Sequence, residues 1–191
     1  VGEWFRVIAE GVVRQIRHRL WGARVDVSEH ARERATAALT ALRVVNLMAS
    51  DDDDAVLTLF VALTSLNLAE EGAVSSELTS TYGMAEVGSR SLGLRRVADV
   101  YARLLDRAVA DAGPSGVAEA KVFRGMRLIG DGDLETASRL LAEASAACDT
   151  WGSPYIAEVV ESSAGYADCY ANDLETALDR YGRLGVSASS R

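Results

Sequence analysis

From residue 55 onward the apolar positions follow a helical beat, broken at intervals by short clusters of Gly, Asp, Asn, Ser and Pro. Two of these clusters open on the same phrase. Asp133-Leu134-Glu135-Thr136-Ala137 returns as Asp173-Leu174-Glu175-Thr176-Ala177, 40 residues later. A fixed period of this length is the mark of stacked supersecondary units. Stepping the period backward lands on Gly93 and Asp53. Four residues after each anchor stand Leu57, Val97, Ala137 and Ala177, then Val61, Tyr101, Leu141 and Tyr181, then Thr64, Leu104, Ala144 and Leu184. Steps of four, four and three hold each set on one helix face.

Twelve residues ahead of Val97, Ala137 and Ala177 sit Ala85, Gly125 and Gly165. Two helices of a hairpin approach to about 8 Å where one presents a small side chain. A helical glycine costs about 1 kcal/mol relative to alanine, so its recurrence at one register points to a close crossing. The pattern predicts helices over 55–71, 76–91, 94–112, 117–130, 134–151, 155–171 and 174–184. Turns separate them near 51–54, 92–93, 113–116, 131–133, 152–154 and 172–173. Asp51 to Asp54 serves as a capping turn, and 185–191, small and polar, as a disordered tail.

Ahead of the repeats, residues 4–21 predict an amphipathic helix. Phe5, Ile8, Val12, Ile16 and Leu20 form its apolar stripe, and Arg6, Arg14, Arg17 and Arg19 occupy the remainder. Gly22 to Val27 reads as a linker, and Ser28 starts a second helix reaching about residue 49. The expected division is thus 1–27 helix and linker, 28–184 repeat domain and 185–191 tail.

A small residue, a twelve-residue step to another, an aromatic or leucine at plus four and an alanine or leucine at plus three resemble the tetratricopeptide repeat over residues 54–184. The period here is longer than the usual 34 or so residues, and the closing proline is missing. The segments His18-Arg19-Leu20-Trp21, Ala62 to Glu70, Ser76-Glu77-Leu78 and Leu92 to Ala98 are similar to the C-terminal helical region of bacterial multidomain proteins. Those proteins join a class III cyclase or a protein kinase to an AAA or STAND-type ATPase. The resemblance implies a non-catalytic regulatory or scaffolding segment. The start on Val1, without an initiating Met, fits a fragment of a longer chain.

Charge sharpens the partner class. Through residue 43 there are eight basic and five acidic side chains, and the rest of the 191-residue chain is strongly acidic, for a net charge of −8. Nucleic-acid binding needs clustered Lys and Arg, so no nucleic-acid partner is expected. The most apolar run, Ala55 to Ala69, is too short and carries too many polar groups to span a bilayer. Cys148 and Cys169 fall at different heights on adjacent helices and are expected as free thiols, in keeping with a cytoplasmic compartment.

Each motif for chemistry fails on a particular residue. The only lysine, Lys121, follows Ala120 rather than the glycine of a P-loop. Gly130-Asp131-Gly132 lacks a third glycine, since Glu135 stands there, and no strand precedes it. Asp131 and Asp133 begin like a calcium loop, but Thr136 and Ala142 occupy the glycine and glutamate positions. His18 and His30 lack partners at metal spacing. No catalytic, cofactor-binding or metal-binding residue is therefore assigned.

The sequence leads to an all-α, right-handed array of antiparallel helical hairpins with a concave face lined by the first helix of each pair. That face would bind a protein or another domain of the parent chain. The alternative is a groove-based sensor that binds a small molecule or peptide and relays occupancy to an attached ATPase or transcription regulator.

Overall fold

The computed structural model describes residues 2–25, 28–51, 54–72, 74–151 and 154–189. Among them the chain is all-helical, with no strand. The helices are α1 (Gly2–Trp21), α2 (Glu29–Asp51), α3 (Ala55–Glu71), α4 (Ser75–Ser91), α5 (Arg95–Asp111), α6 (Gly113–Asp131), α7 (Leu134–Trp151), α8 (Pro154–Tyr170) and α9 (Leu174–Ser189). The turn expectations at 52–53 and 152–153, and the linker residues 26–27, lie outside the described residues.

Three turns share one backbone solution. At each, a residue with positive φ ends the helix: Gly93 at 75°, Gly132 at 84° and Asn172 at 62°. Glycine adopts that conformation freely, and asparagine is among the few others that do so at modest cost. In each turn the amide after the left-handed residue donates back to a carbonyl five positions earlier, Leu94 to Ser89, Asp133 to Leu128 and Asp173 to Asp168. The paired six-to-one and five-to-two bonds satisfy carbonyls that the helix end would otherwise leave open. Asp133 and Asp173 then cap the following helix by accepting from the Thr136 and Thr176 amides, both at 3.2 Å. Asp54 caps α3 in the same way through the Val56 and Leu57 amides.

These turns move the caps expected for the first two units by one residue, although Val61 and Tyr101 are buried where the spacing put them. The cap that matches Asp133 and Asp173 is Leu94, not Gly93, and the aspartate that caps α3 is Asp54, not Asp53. Successive caps are thus 40, 39 and 40 residues apart. The inward residue of α5 is Ala98, fully buried like Ala137, whereas Val97 is 42% exposed. Leu105 likewise replaces Leu104 as the buried leucine. A one-residue slip rotates a helix by about 100°, enough to exchange faces.

The chain forms two compact units, Val1–Ala85 and Glu86–Arg191. This division differs from the expected 1–27, 28–184 and 185–191. Helix α1 is no separate appendage, because it packs on α3 within the first unit, where α2 also meets α3. Residues 185–189 continue α9, since Gly185 is a weak helix former but not a stop and no proline follows it. At the other boundary that moved, α6 begins at Gly113 rather than 117, with Pro114 in its first turn, where its missing N–H goes unneeded.

In the first unit Ala35 and Leu39 of α2 meet Ala69 of α3 and Val74. In the second, α6 pairs with α7 and α8 with α9, and α8 also lies against α6 and α7. Val122, Leu141 and Ala144 there pack against Ile156, Val160 and Ala164. Each buried leucine contributes about 2 to 3 kcal/mol. The two glycines do mark close crossings, but against large side chains sixteen residues on rather than the expected Ala137 and Ala177: a Cβ on Gly125 would stand 2.9 Å from Leu141 Cγ, and one on Gly165 would stand 2.8 Å from the Tyr181 ring.

Candidate interaction surfaces

Helix α1 enters the first unit on its polar side. Gln15 donates to Asn67 Oδ1 and to Glu70 Oε2, both at 2.9 Å, and Asn67 donates to the carbonyls of Gly11 and Leu63. His18 Nδ1 lies 2.6 Å from Glu70 Oε2 and its Nε2 lies 3.2 Å from Glu71 Oε1. Arg19 pairs with Glu70 and stands 6.0 Å from the Tyr82 ring centroid, and Arg14 pairs with Glu71 at 2.8 Å. Burial pushes the His18 imidazolium below its ordinary range; Glu71 pulls the other way, and Arg19 and Arg14 add to the lowering. A neutral ring has one N–H for two carboxylates, so the second contact needs a proton on the ring or on the acid.

This arrangement inverts the predicted orientation of α1. The side buried is Gln15 and its neighbours, while Val12, Ile16 and Leu20 of the apolar stripe are exposed, Ile16 at 52% and Leu20 at 65%. The reason lies on α3, which presents Asn67 and Glu70 to the seam. Buried polar groups of this kind each cost several kcal/mol unless bonded, and only the polar side of α1 can bond them.

In the second unit a groove of about 350 Å³ opens between α7, α8 and α9. Its α7 wall sets the small residues Ser138, Ala142 and Ser145, at helical spacing, beside Leu141. Glu161 and Asp168 of α8 and Arg180 of α9 supply the charge. Arg180 donates to Asp168 at 2.7 Å and pairs with Glu161 at 3.2 Å. Burial works against its charge, and the two carboxylates outweigh that, so its pKa is raised. With its guanidinium already held, the site presents a net negative charge and two carboxylates to whatever enters. It suits an apolar group flanked by a cation or by hydrogen-bond donors.

Further along the second unit, Glu86 is buried, and its Oε1 faces Arg127 Nε across 3.6 Å, too far for a hydrogen bond. Burial raises the Glu86 pKa, with Arg127 and Arg90 opposing. Glu86 does not line the groove.

The expected groove lined by first helices differs from the one found, which uses α7 and α9, the second helices of their pairs, as well as α8. Arg180 and its two acids escaped the sequence reading because an arginine in a helix reads as solvated. The available signal was Glu161 and Asp168, seven residues apart on one face of α8. Cys148 and Cys169 are free, as expected. Among the described residues no group of His, Cys, Asp or Glu is placed to hold a metal, and no helix is long and apolar enough to cross a membrane. The chain matches no family model, no curated protein and no solved structure.

Proposed function

We propose that this chain is a non-catalytic, tetratricopeptide-like scaffold that holds a peptide segment of a protein partner in the α7–α9 groove. The observation that carries the reading is the conjunction of a small-residue wall with a clamped Arg180 at one concave site. Support for the repeat comes from the recurring left-handed turns at Gly93, Gly132 and Asn172 and from the hairpin crossings at Gly125 and Gly165. The similarity of the segments from His18 to Ala98 to cyclase- and kinase-linked ATPase proteins supports a scaffold that forms the regulatory end of a larger signalling protein.

A displayed peptide library panned on the 191-residue protein tests this. Selected peptides should bind with Kd on the order of 1 to 100 µM and carry Lys or Arg beside an apolar residue. Ala142→Trp, which fills the groove, should abolish binding. Peptides that bind the Trp variant equally well would put recognition elsewhere and defeat the proposal. The groove volume also favours a second reading, a small-molecule sensor, because it falls within the range of about 300 to 1,000 Å³ seen for ligand pockets. A thermal-shift screen of small cationic compounds, repeated on Ala142→Trp, separates the two.

A further inference from the structure

The seam of α1 and α3 is short of a proton if its ring is neutral and both its acids are ionised. The His18 side chain is 7% exposed and that of Glu70 3%, and both ring nitrogens face carboxylate oxygen. Nδ1 stands 2.6 Å from Glu70 Oε2, and Nε2 stands 3.2 Å from Glu71 Oε1. An ionised carboxylate only accepts, and a neutral imidazole donates from one nitrogen. Two such contacts therefore hold two protons, one more than a neutral ring brings. Without it a ring lone pair would face a carboxylate lone pair where water scarcely reaches.

The groups that face the ring come from both helices. From α3 they are Glu70 and Glu71; from α1 they are Arg14 and Arg19, with Gln15. Beyond Arg19 lies the Tyr82 ring of α4. Arg14 pairs with Glu71 and Arg19 with Glu70, so acids and arginines offset one another. Burial and the two arginines lower the ring's own hold on a proton, and Glu71 raises it. A proton pushed off Nδ1 has Glu70 Oε2 2.6 Å away, and from there it donates back to the ring. The two arrangements differ in where the proton sits and agree in how many the cluster holds.

We infer that docking of α1 on α3 takes up one proton from solvent, held between His18 and Glu70, so that the seam is a pH-sensitive catch. Released, α1 carries an ordinary imidazole with a pKa of about 6.5. Docked, the cluster keeps its proton to higher pH. The contribution of that proton is complete below about pH 6.5 and is lost as pH rises through the value of the docked cluster. Mild acid closes the catch and alkali opens it, baring Asn67 and Glu70 of α3. The groove lies in the second unit, so the catch is independent of what occupies it.

The test is amide hydrogen exchange of the 191-residue protein between about pH 5.5 and pH 8.5, corrected for the intrinsic exchange rate. Protection over residues 12–20, relative to that of α6 in the second unit, should fall above about pH 6.5 by up to tenfold per pH unit, the limit for one proton. His18→Gln keeps a donor toward Glu70 and does not titrate, and Glu71→Gln gives Nε2 a neutral partner, so each should flatten the profile. Glu71 is 27% exposed, so Glu71→Gln decides the matter if circular dichroism shows that His18→Gln does not fold. His30→Gln, at an exposed position outside the seam, should leave the profile unchanged. Protection that rises with pH between about 5.5 and 7 would mean that the ring docks neutral beside two ionised acids, and would overturn the inference. So would a level wild-type profile, or a slope that survives in Glu71→Gln.

Discussion

Replacing Gly125 by alanine should destabilise the second unit, against the usual gain from removing a helical glycine. Alanine in a helix interior is worth about 1 kcal/mol over glycine. Here the new Cβ would stand 2.9 Å from Leu141 Cγ and 3.0 Å from its Cδ2, closer than carbon atoms tolerate. Leu141 is fully buried between Val122 and the α8 residues, so it has little room to retreat. Overpacking of a tight core costs about 1 to 3 kcal/mol, which leaves a net loss of about 0.5 to 2 kcal/mol. Helix propensity taken alone favours the alanine, and the close approach of Leu141 reverses that sign. Gly182→Ala on α9 is the comparator, because nothing lies within 4 Å of its added Cβ. It should gain about 0.5 to 1 kcal/mol. Urea unfolding followed by circular dichroism at constant m would give both values. A double variant adds a second check: Leu141→Ala alone costs about 2 to 5 kcal/mol, and in its background the Gly125→Ala penalty should vanish. If Gly125→Ala stabilised the protein as much as Gly182→Ala, the close crossing of α6 and α7 would be wrong.

Leu94 caps α5 with no side-chain acceptor, so Leu94→Asp should raise stability by about 0.5 to 1.5 kcal/mol, and an unchanged melting temperature would count against the turn geometry. Asp173→Ala should lose about 1 kcal/mol by the same measurement, since the Thr176 amide loses its acceptor. Glu86 has a raised pKa in the folded state, so its stabilising contribution is complete below its unfolded value and is lost as pH rises through the folded value. Glu86→Gln should therefore improve against wild type between about pH 4.5 and pH 7 in thermal melts, and a relative decline would show that the Arg127 pairing outweighs burial. Duplex DNA should show no binding by fluorescence anisotropy at about 0.15 M salt, and sub-micromolar affinity would contradict the acidic body.

Helix positions were largely legible in the sequence, because each was bounded by turn residues with a mechanism. Asp133 and Asp173 had to cap, and Gly132 and Asn172 had to take left-handed backbone. Gly125 and Gly165 also read true, since a helix keeps a small residue at a fixed interval chiefly where a neighbouring helix comes close. What escaped depended on angles that spacing leaves free. A 40-residue ruler could not see that the first turn closes on Leu94, one residue later, because Gly93 fits either the cap or the residue before it. Amphipathicity misdirected the orientation of α1, since an apolar stripe says which side avoids water and nothing about what the neighbouring helix offers. Glu70 and Asn67 on α3 decided the matter. The groove was invisible for a related reason: Ser138, Ala142 and Ser145 mean nothing until α9 brings Arg180 across from them.

The seam between α1 and α3 also bears on how the first unit chooses one arrangement among many. Oil-like faces slide past one another at little cost, so a helix held by leucines alone tolerates several registers. Helix α1 has no such latitude. Displaced by one turn, Gln15 would leave Asn67, His18 would leave Glu70, and a buried carboxylate would remain without Arg19 and its hydrogen-bond partners. The seam therefore works as a keyed lock, in which one register of α1 satisfies the buried groups of α3 and its neighbours by a turn do not.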